Sequence, residues 1–145
     1  KEGEIKTKLI RSRLNRKKMT VTNNDNGKIA ITRYKLVKSF IINDEIKISY
    51  IKCNLLTGRT HQIRVHMAHI GNIIGDSTYS RNKYILKSPL ELQEYVKKYF
   101  ITPERQALHA RSLGFFHPHK KIEMLFESDL PSDFNGLLKI LSESS

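Results

Sequence analysis

From Lys28 to Lys38 the chain alternates in character, with Ile29, Ile31, Arg33 and Lys35 on one side and Ala30, Thr32, Tyr34 and Leu36 on the other. A period of two carried by β-branched and aromatic residues predicts a strand. Asn43-Asp44 marks a turn, and Ile46, Ile48, Tyr50 and Lys52 then alternate with Lys47, Ser49 and Ile51 until Thr57-Gly58. Two alternating segments around a turn of residues that tolerate positive φ form an antiparallel hairpin. Whatever else the chain does must be built onto that hairpin.

The remaining pattern adds helices and a second strand pair. Asn23-Asn24-Asp25-Asn26-Gly27 is a turn cluster ahead of the first strand. A helix is expected from about Thr60 to Ile70, with Ile63, Met67 and Ile70 on one face and Gly71 at its C-terminal end. A second is expected with Ser88 as cap, Pro89 in its first position and Glu91 three after the cap, carrying Leu92, Tyr95, Val96 and Tyr99. Ala107–His117 and Lys121–Glu127 read as strands about Pro118-His119-Lys120, and Pro131 precedes a short helix of about Asn135–Leu141. Paired strands without regular βαβ alternation predict α+β: a largely antiparallel sheet with two or three flanking helices. At 145 residues this is one domain, 1–145.

Charge limits the partner. The chain has 26 Lys and Arg against 14 Asp and Glu, a net +12. Seventeen lysines, 17 isoleucines and 9 asparagines fit an AT-rich coding bias, so placement says more than the total. Eight basic residues fall in 1–20 against only Glu2 and Glu4, half the net charge. A phosphate-facing role is therefore expected for the stretch from Arg11, with Arg16, Lys17 and Lys18 as the leading candidates. No run approaches the roughly 18 apolar residues of a membrane span. The lone Cys53 cannot form an internal disulfide, and the expected compartment is the reduced cytoplasm. The first methionine is Met19, so the chain reads as cut from something longer.

The densest cluster of polar chemistry is Leu56-Thr57-Gly58-Arg59-Thr60-His61-Gln62-Ile63-Arg64-Val65-His66. It sets a glycine at a strand end, then Arg59, Thr60, His61, Gln62 and Arg64 on the opening of a helix, where backbone N–H groups favour an anion. Arg64 falls at the margin of the expected apolar stripe, where a guanidinium needs a carboxylate or phosphate. A nucleotide-triphosphate loop, a His-Glu-x-x-His, a cysteine pair and a Gly-x-Ser-x-Gly are all missing from the sequence, so neither a metal site nor a hydrolase is expected.

The stretch Thr57 to His66 resembles the pseudouridine synthases that modify large-subunit ribosomal RNA. The likeness runs on through Ile70-Gly71, Gly75-Asp76 and Tyr79, and returns at Leu108-His109-Ala110, Phe116-His117-Pro118 and Leu130-Pro131-Ser132-Asp133-Phe134. Gly3, Ile5, Lys18-Met19 and Gly27 to Tyr34 fit as well. The resemblance implies an isomerase that needs no cofactor: it flips a uridine out of RNA, breaks the N-glycosidic bond, turns the uracil and rejoins it through carbon. It implies that Arg64 pairs with a catalytic aspartate, and that Leu108 packs at the base pocket.

The family's catalytic aspartate lies in a His-Arg-Leu-Asp motif that this sequence lacks. Arg13-Leu14-Asn15 imitates it, but precedes Lys18-Met19 and so lies downstream of the catalytic loop's place. The base-stacking tyrosine is missing too, because its strand comes before the Gly3 and Ile5 segment; Tyr34, a tempting substitute, reads as a strand residue packed toward the core. Arg64 is then expected to have no aspartate partner within the chain, with Asp76 no substitute for the catalytic one. The reading is the C-terminal portion of the catalytic domain, inactive alone. A non-catalytic RNA-binding module is the alternative. Loss of the upstream strands should leave an exposed sheet edge through which the fragment self-associates.

Overall fold

The computed structural model describes residues 1–80 and 82–145. Four strands, β1 (Glu2–Arg11), β2 (Met19–Thr22), β3 (Lys28–Ile42) and β4 (Ile46–Leu55), form an antiparallel sheet in the order β2-β1-β3-β4. The expected hairpin is β3–β4, and Asn43 and Asp44 both adopt positive φ at its turn. β3 is longer than its alternation suggested. Its pairing slips between Leu36 and Lys38, and this irregularity carries the strand on to Phe40 and Ile42, both buried.

Helix α1 (Gln62–Ile70) follows β4, and a 3₁₀ turn spans Lys83–Lys87. Helix α2 (Leu90–Val96) runs into a π turn at Lys97–Ile101. β5 (Ser112–Phe116) and β6 (Glu123–Glu127) pair only with each other among the described residues, and α3 (Ser132–Glu143) closes the chain. The fold is α+β. Ser88 does not cap α2: its hydroxyl donates back to the Ile85 carbonyl, and extended Pro89 precedes the first helical residue.

Two apolar clusters hold the layers together. Phe40, Ile42, Ile46 and Ile48 at the far end of β3–β4 pack with Leu92, Val96, Phe100, Leu137 and Leu141. Leu9, Ala30 and Val65 form the second, with Met19, Val21 and Tyr79 at its rim, and pin α1 onto β1 and β3. Each buried leucine or isoleucine contributes about 1.5–3 kcal/mol. The face of α1 turned inward is Gln62, Val65, His66 and Met67, not the expected Ile63–Met67–Ile70 stripe; Ile70 is 52% exposed. Polar residues take the inner positions because the sheet offers threonines there. His66 Nδ1 meets Thr32 Oγ1 at 2.8 Å and its Nε2 meets Thr7 Oγ1 at 2.9 Å.

Candidate active site

The turn from β4 into α1 closes on itself. Gln62 is 2% exposed, and its Nε2 donates to the Ile31 carbonyl and to Thr32 Oγ1, both at 3.0 Å. Its Oε1 accepts from Thr57 Oγ1 at 2.8 Å and from the Arg59 amide at 3.0 Å. Those bonds satisfy a buried amide and fix the entry angle of α1. Gln62, a candidate for RNA contact in the sequence, is thus turned into the protein and acts on the turn. Arg59 and Thr60 are exposed, with Arg59 Nε donating to the Ile29 carbonyl at 3.0 Å. His61 adopts positive φ (55°) at the residue before the helix.

Arg64 points to a carboxylate within the chain. Its Nε donates to Asp76 Oδ2 at 2.8 Å and its Nη2 to Asp76 Oδ1 at 2.9 Å, a bidentate side-on pair. The expectation that Arg64 lacks an aspartate here is therefore corrected. The reason is a loop path that spacing does not reveal: twelve residues downstream, Gly75 at φ +79° turns the backbone so that Asp76 faces α1. Asp76 is 1% exposed and also accepts from the amides of Thr78 and Tyr79, at 3.0 and 3.1 Å. Burial by itself would push this carboxyl up, yet Arg64 and the two amides outweigh it and hold it below the usual carboxylate value.

Tyr79 joins this pair to the basic segment. Its ring lies under the Arg64 guanidinium, with Cζ 5.0 Å from the centroid, and Lys18 Nζ is 5.9 Å from the same ring. The Tyr79 hydroxyl accepts the Met19 amide at 2.7 Å and meets His61 Nδ1 at 2.9 Å. Burial, and next the Arg64 charge, lower the His61 pKa and favour the neutral ring. Sequence reading gave neither Tyr79 nor Asp76 a role, although both stand inside the matched stretch after Gly71.

A side-on pair leaves the end-on edge of Arg64, formed by Nη1 and the second N–H of Nη2, pointing away from Asp76. That edge has the fork geometry that meets a second carboxylate or a phosphate. The other candidates fall in two places. Arg16 and Lys17 are exposed on the loop between β1 and β2, whose far end carries Lys18. Leu108 is 36% exposed and lines an open cleft of about 1920 Å³ with Tyr34, Ile63, Met67 and Ile74. Among the described residues, neither Arg64 nor Asp76 lines that cleft, so the arginine and Leu108 do not share one cavity. Tyr34 lies across β1, with its ring against Gly3, as a strand residue would.

The chain resembles known proteins over nearly its whole length. Residues 1–69 match the sequence profile of RNA pseudouridylate synthase. The chain is 37% identical over 145 residues to the ribosomal large subunit pseudouridine synthase D of Zymomonas mobilis, which covers 99% of this chain and 42% of that protein. It is 39% identical over 142 residues to the enzyme of the same name from Pseudomonas aeruginosa, covering 97% of this chain and 41% of the relative. A solved structure of human RNA pseudouridylate synthase domain containing 1 shares the fold, with a TM-score of 0.61 at 20% identity over 97% of this chain and 59% of that one. The chain spans less than half the length of the curated relatives it matches. With an identity of this level sustained from one end to the other, the chain is similar over nearly its whole length to ribosomal large subunit pseudouridine synthases.

Proposed function

We propose that this chain supplies the RNA-docking, arginine-bearing portion of an enzyme that isomerises uridine to pseudouridine in large-subunit ribosomal RNA. The isomerisation breaks the bond from N1 to C1′ and forms one from C5 to C1′. The C5 hydrogen leaves to solvent and N1 gains one, so no cofactor is consumed. The aspartate that attacks in the family comes from outside residues 1–145, and these residues alone are inactive. Arg59, Thr60 and His61 at the α1 entry, and Arg16, Lys17 and Lys18, meet the RNA; Leu108 faces the base from the cleft.

One observation carries the reading. Arg64 is nearly buried and bidentate to Asp76, yet its end-on fork is aimed away from that partner, as a guanidinium would be that waits for a second carboxylate. The test is tritium release from 5-tritiated uridine in ribosomal RNA. Residues 1–145 should release none, whereas a chain extended to the length of the curated relatives should turn over. In that longer chain Arg64→Ala should lower turnover by about 10² or more while RNA affinity changes less than about threefold. Release by residues 1–145 alone, or normal turnover in the alanine variant, would overturn the reading.

A further inference from the structure

The loop Ser12–Lys18, between β1 and β2, is held in one shape by its own hydrogen bonds. Ser12 N donates to the Lys18 carbonyl at 2.9 Å, Lys18 N to the Asn15 carbonyl at 2.9 Å, and Asn15 N to Ser12 Oγ at 3.2 Å. Lys17 N donates to Asn15 Oδ1 at 3.0 Å, and Arg11 Nη1 reaches the Arg16 carbonyl at 2.6 Å. Out of this framework projects Leu14, at 101% exposure, between Arg13 and Asn15. The triplet that imitates the catalytic motif in sequence is in fact the tip of this loop.

One exposed leucine is ordinary on a protein surface. This one differs in its surroundings. From residue 5 to residue 24 the sequence contains Lys6, Lys8, Arg11, Arg13, Arg16, Lys17 and Lys18 and no acidic residue. That charge selects a polyanion. The loop's end is also tied to the arginine site, because Met19 N bonds the Tyr79 hydroxyl and Lys18 shares the Tyr79 ring with Arg64. A phosphate gains nothing from a leucine, whereas the face of an unstacked base does, and apolar side chains are what nucleic-acid-bending proteins insert between bases.

We infer that the Ser12–Lys18 loop is a preformed cationic finger whose Leu14 wedges against a base of the RNA strand while Arg13, Arg16 and Lys17 hold the flanking phosphates. This rests on the proposed RNA reading. An enzyme acting on a base in a structured RNA must take that base out of its stack, which costs a few kcal/mol. A leucine filling the vacated space offsets part of that cost.

The experiment uses the 145-residue chain and a bulged RNA stem-loop with 2-aminopurine beside an unpaired uridine. Binding is followed by anisotropy and unstacking by 2-aminopurine fluorescence. The wild-type chain should bind and raise the fluorescence. Leu14→Ser should bind within about threefold of wild type but lose most of the rise, and Leu14→Phe should keep it. Arg16→Ala with Lys17→Ala should weaken affinity about tenfold or more. A full rise with Leu14→Ser, or loss of the rise with Leu14→Phe, would overturn the wedge and leave RNA binding standing. Absence of any binding by the wild-type chain would overturn both.

Discussion

Arg64 and Asp76 form a pair in which each charge depends on the other. Asp76 is 1% exposed and the arginine side chain 14%, so removing either partner leaves a nearly buried charge unmatched. Asp76→Ala should cost about 3–5 kcal/mol, read as a lower urea midpoint at unchanged slope. A loss below about 1 kcal/mol would mean that the pair is solvated. Because the Asp76 carboxyl is held below its ordinary 3.8, the stability it adds is complete above that pH and is lost as pH falls through the folded value. His66 acts at higher pH. Burial, and then the neighbouring His69, depress its pKa from 6.5. The neutral ring between Thr7 and Thr32 therefore stabilises the fold fully above that value, and the contribution fades as pH drops below it. Urea midpoints measured from pH 7.5 to 5 should fall, and more gently in His66→Gln. An equal fall in both proteins would remove His66 from the account.

The elements were not equally plain in the sequence. The β3–β4 hairpin was legible because its alternation is uninterrupted and its turn residues are diagnostic. β1 was hidden by its own charge: Glu4, Lys6 and Lys8 drew attention to electrostatics, although Ile5, Thr7 and Leu9 alternate with them toward the core. α1 was placed within two residues but rotated, since a hydropathy stripe cannot know that Thr7, Thr32 and Thr57 will satisfy His66 and Gln62. The Arg64 partner was beyond reach for a similar reason, as it depends on the path of the loop through Gly75. That glycine is required twice. Its φ is +79°, and a Cβ there would stand 2.0 Å from the Arg105 carbonyl oxygen, backbone that cannot swing aside. Gly75→Ala should destabilise by about 2 kcal/mol or more and loosen the aspartate that follows. Hydrogen exchange at the Thr78 and Tyr79 amides, both bonded to Asp76, should rise. Unchanged protection there would show that the loop does not depend on Gly75.

For the molecule as a whole, salt should separate the two associations proposed for it, with RNA and with its own copies. β4 is one of the two outer strands of the four-stranded sheet, and the β5–β6 ribbon carries exposed apolar side chains on both faces. Leu113, Phe115 and Phe126 stand on one face and Phe116 and Leu125 on the other, each at least 43% exposed. A lone two-stranded ribbon is marginal in water, and an uncovered strand edge is a template for another chain. The 145-residue chain should therefore self-associate as its concentration rises, as the sequence led us to expect from an exposed sheet edge. Its charge of +12 opposes that contact, so added salt should screen the repulsion and strengthen it. The proposed RNA binding should respond in the opposite sense, because each phosphate that Arg16, Lys17 or Lys18 would neutralise releases counterions, and salt favours their return. Sedimentation velocity of the chain alone, from 50 to 300 mM salt, should show a growing oligomer fraction. RNA affinity over the same range should fall by a factor of about 10² or more. Charge reversal at Arg16, Lys17 and Lys18 should flatten the RNA response and leave the ribbon contact in place, since the finger and the ribbon lie on different elements. A chain that stays monomeric throughout, or RNA affinity indifferent to salt, would refute the corresponding half of this account.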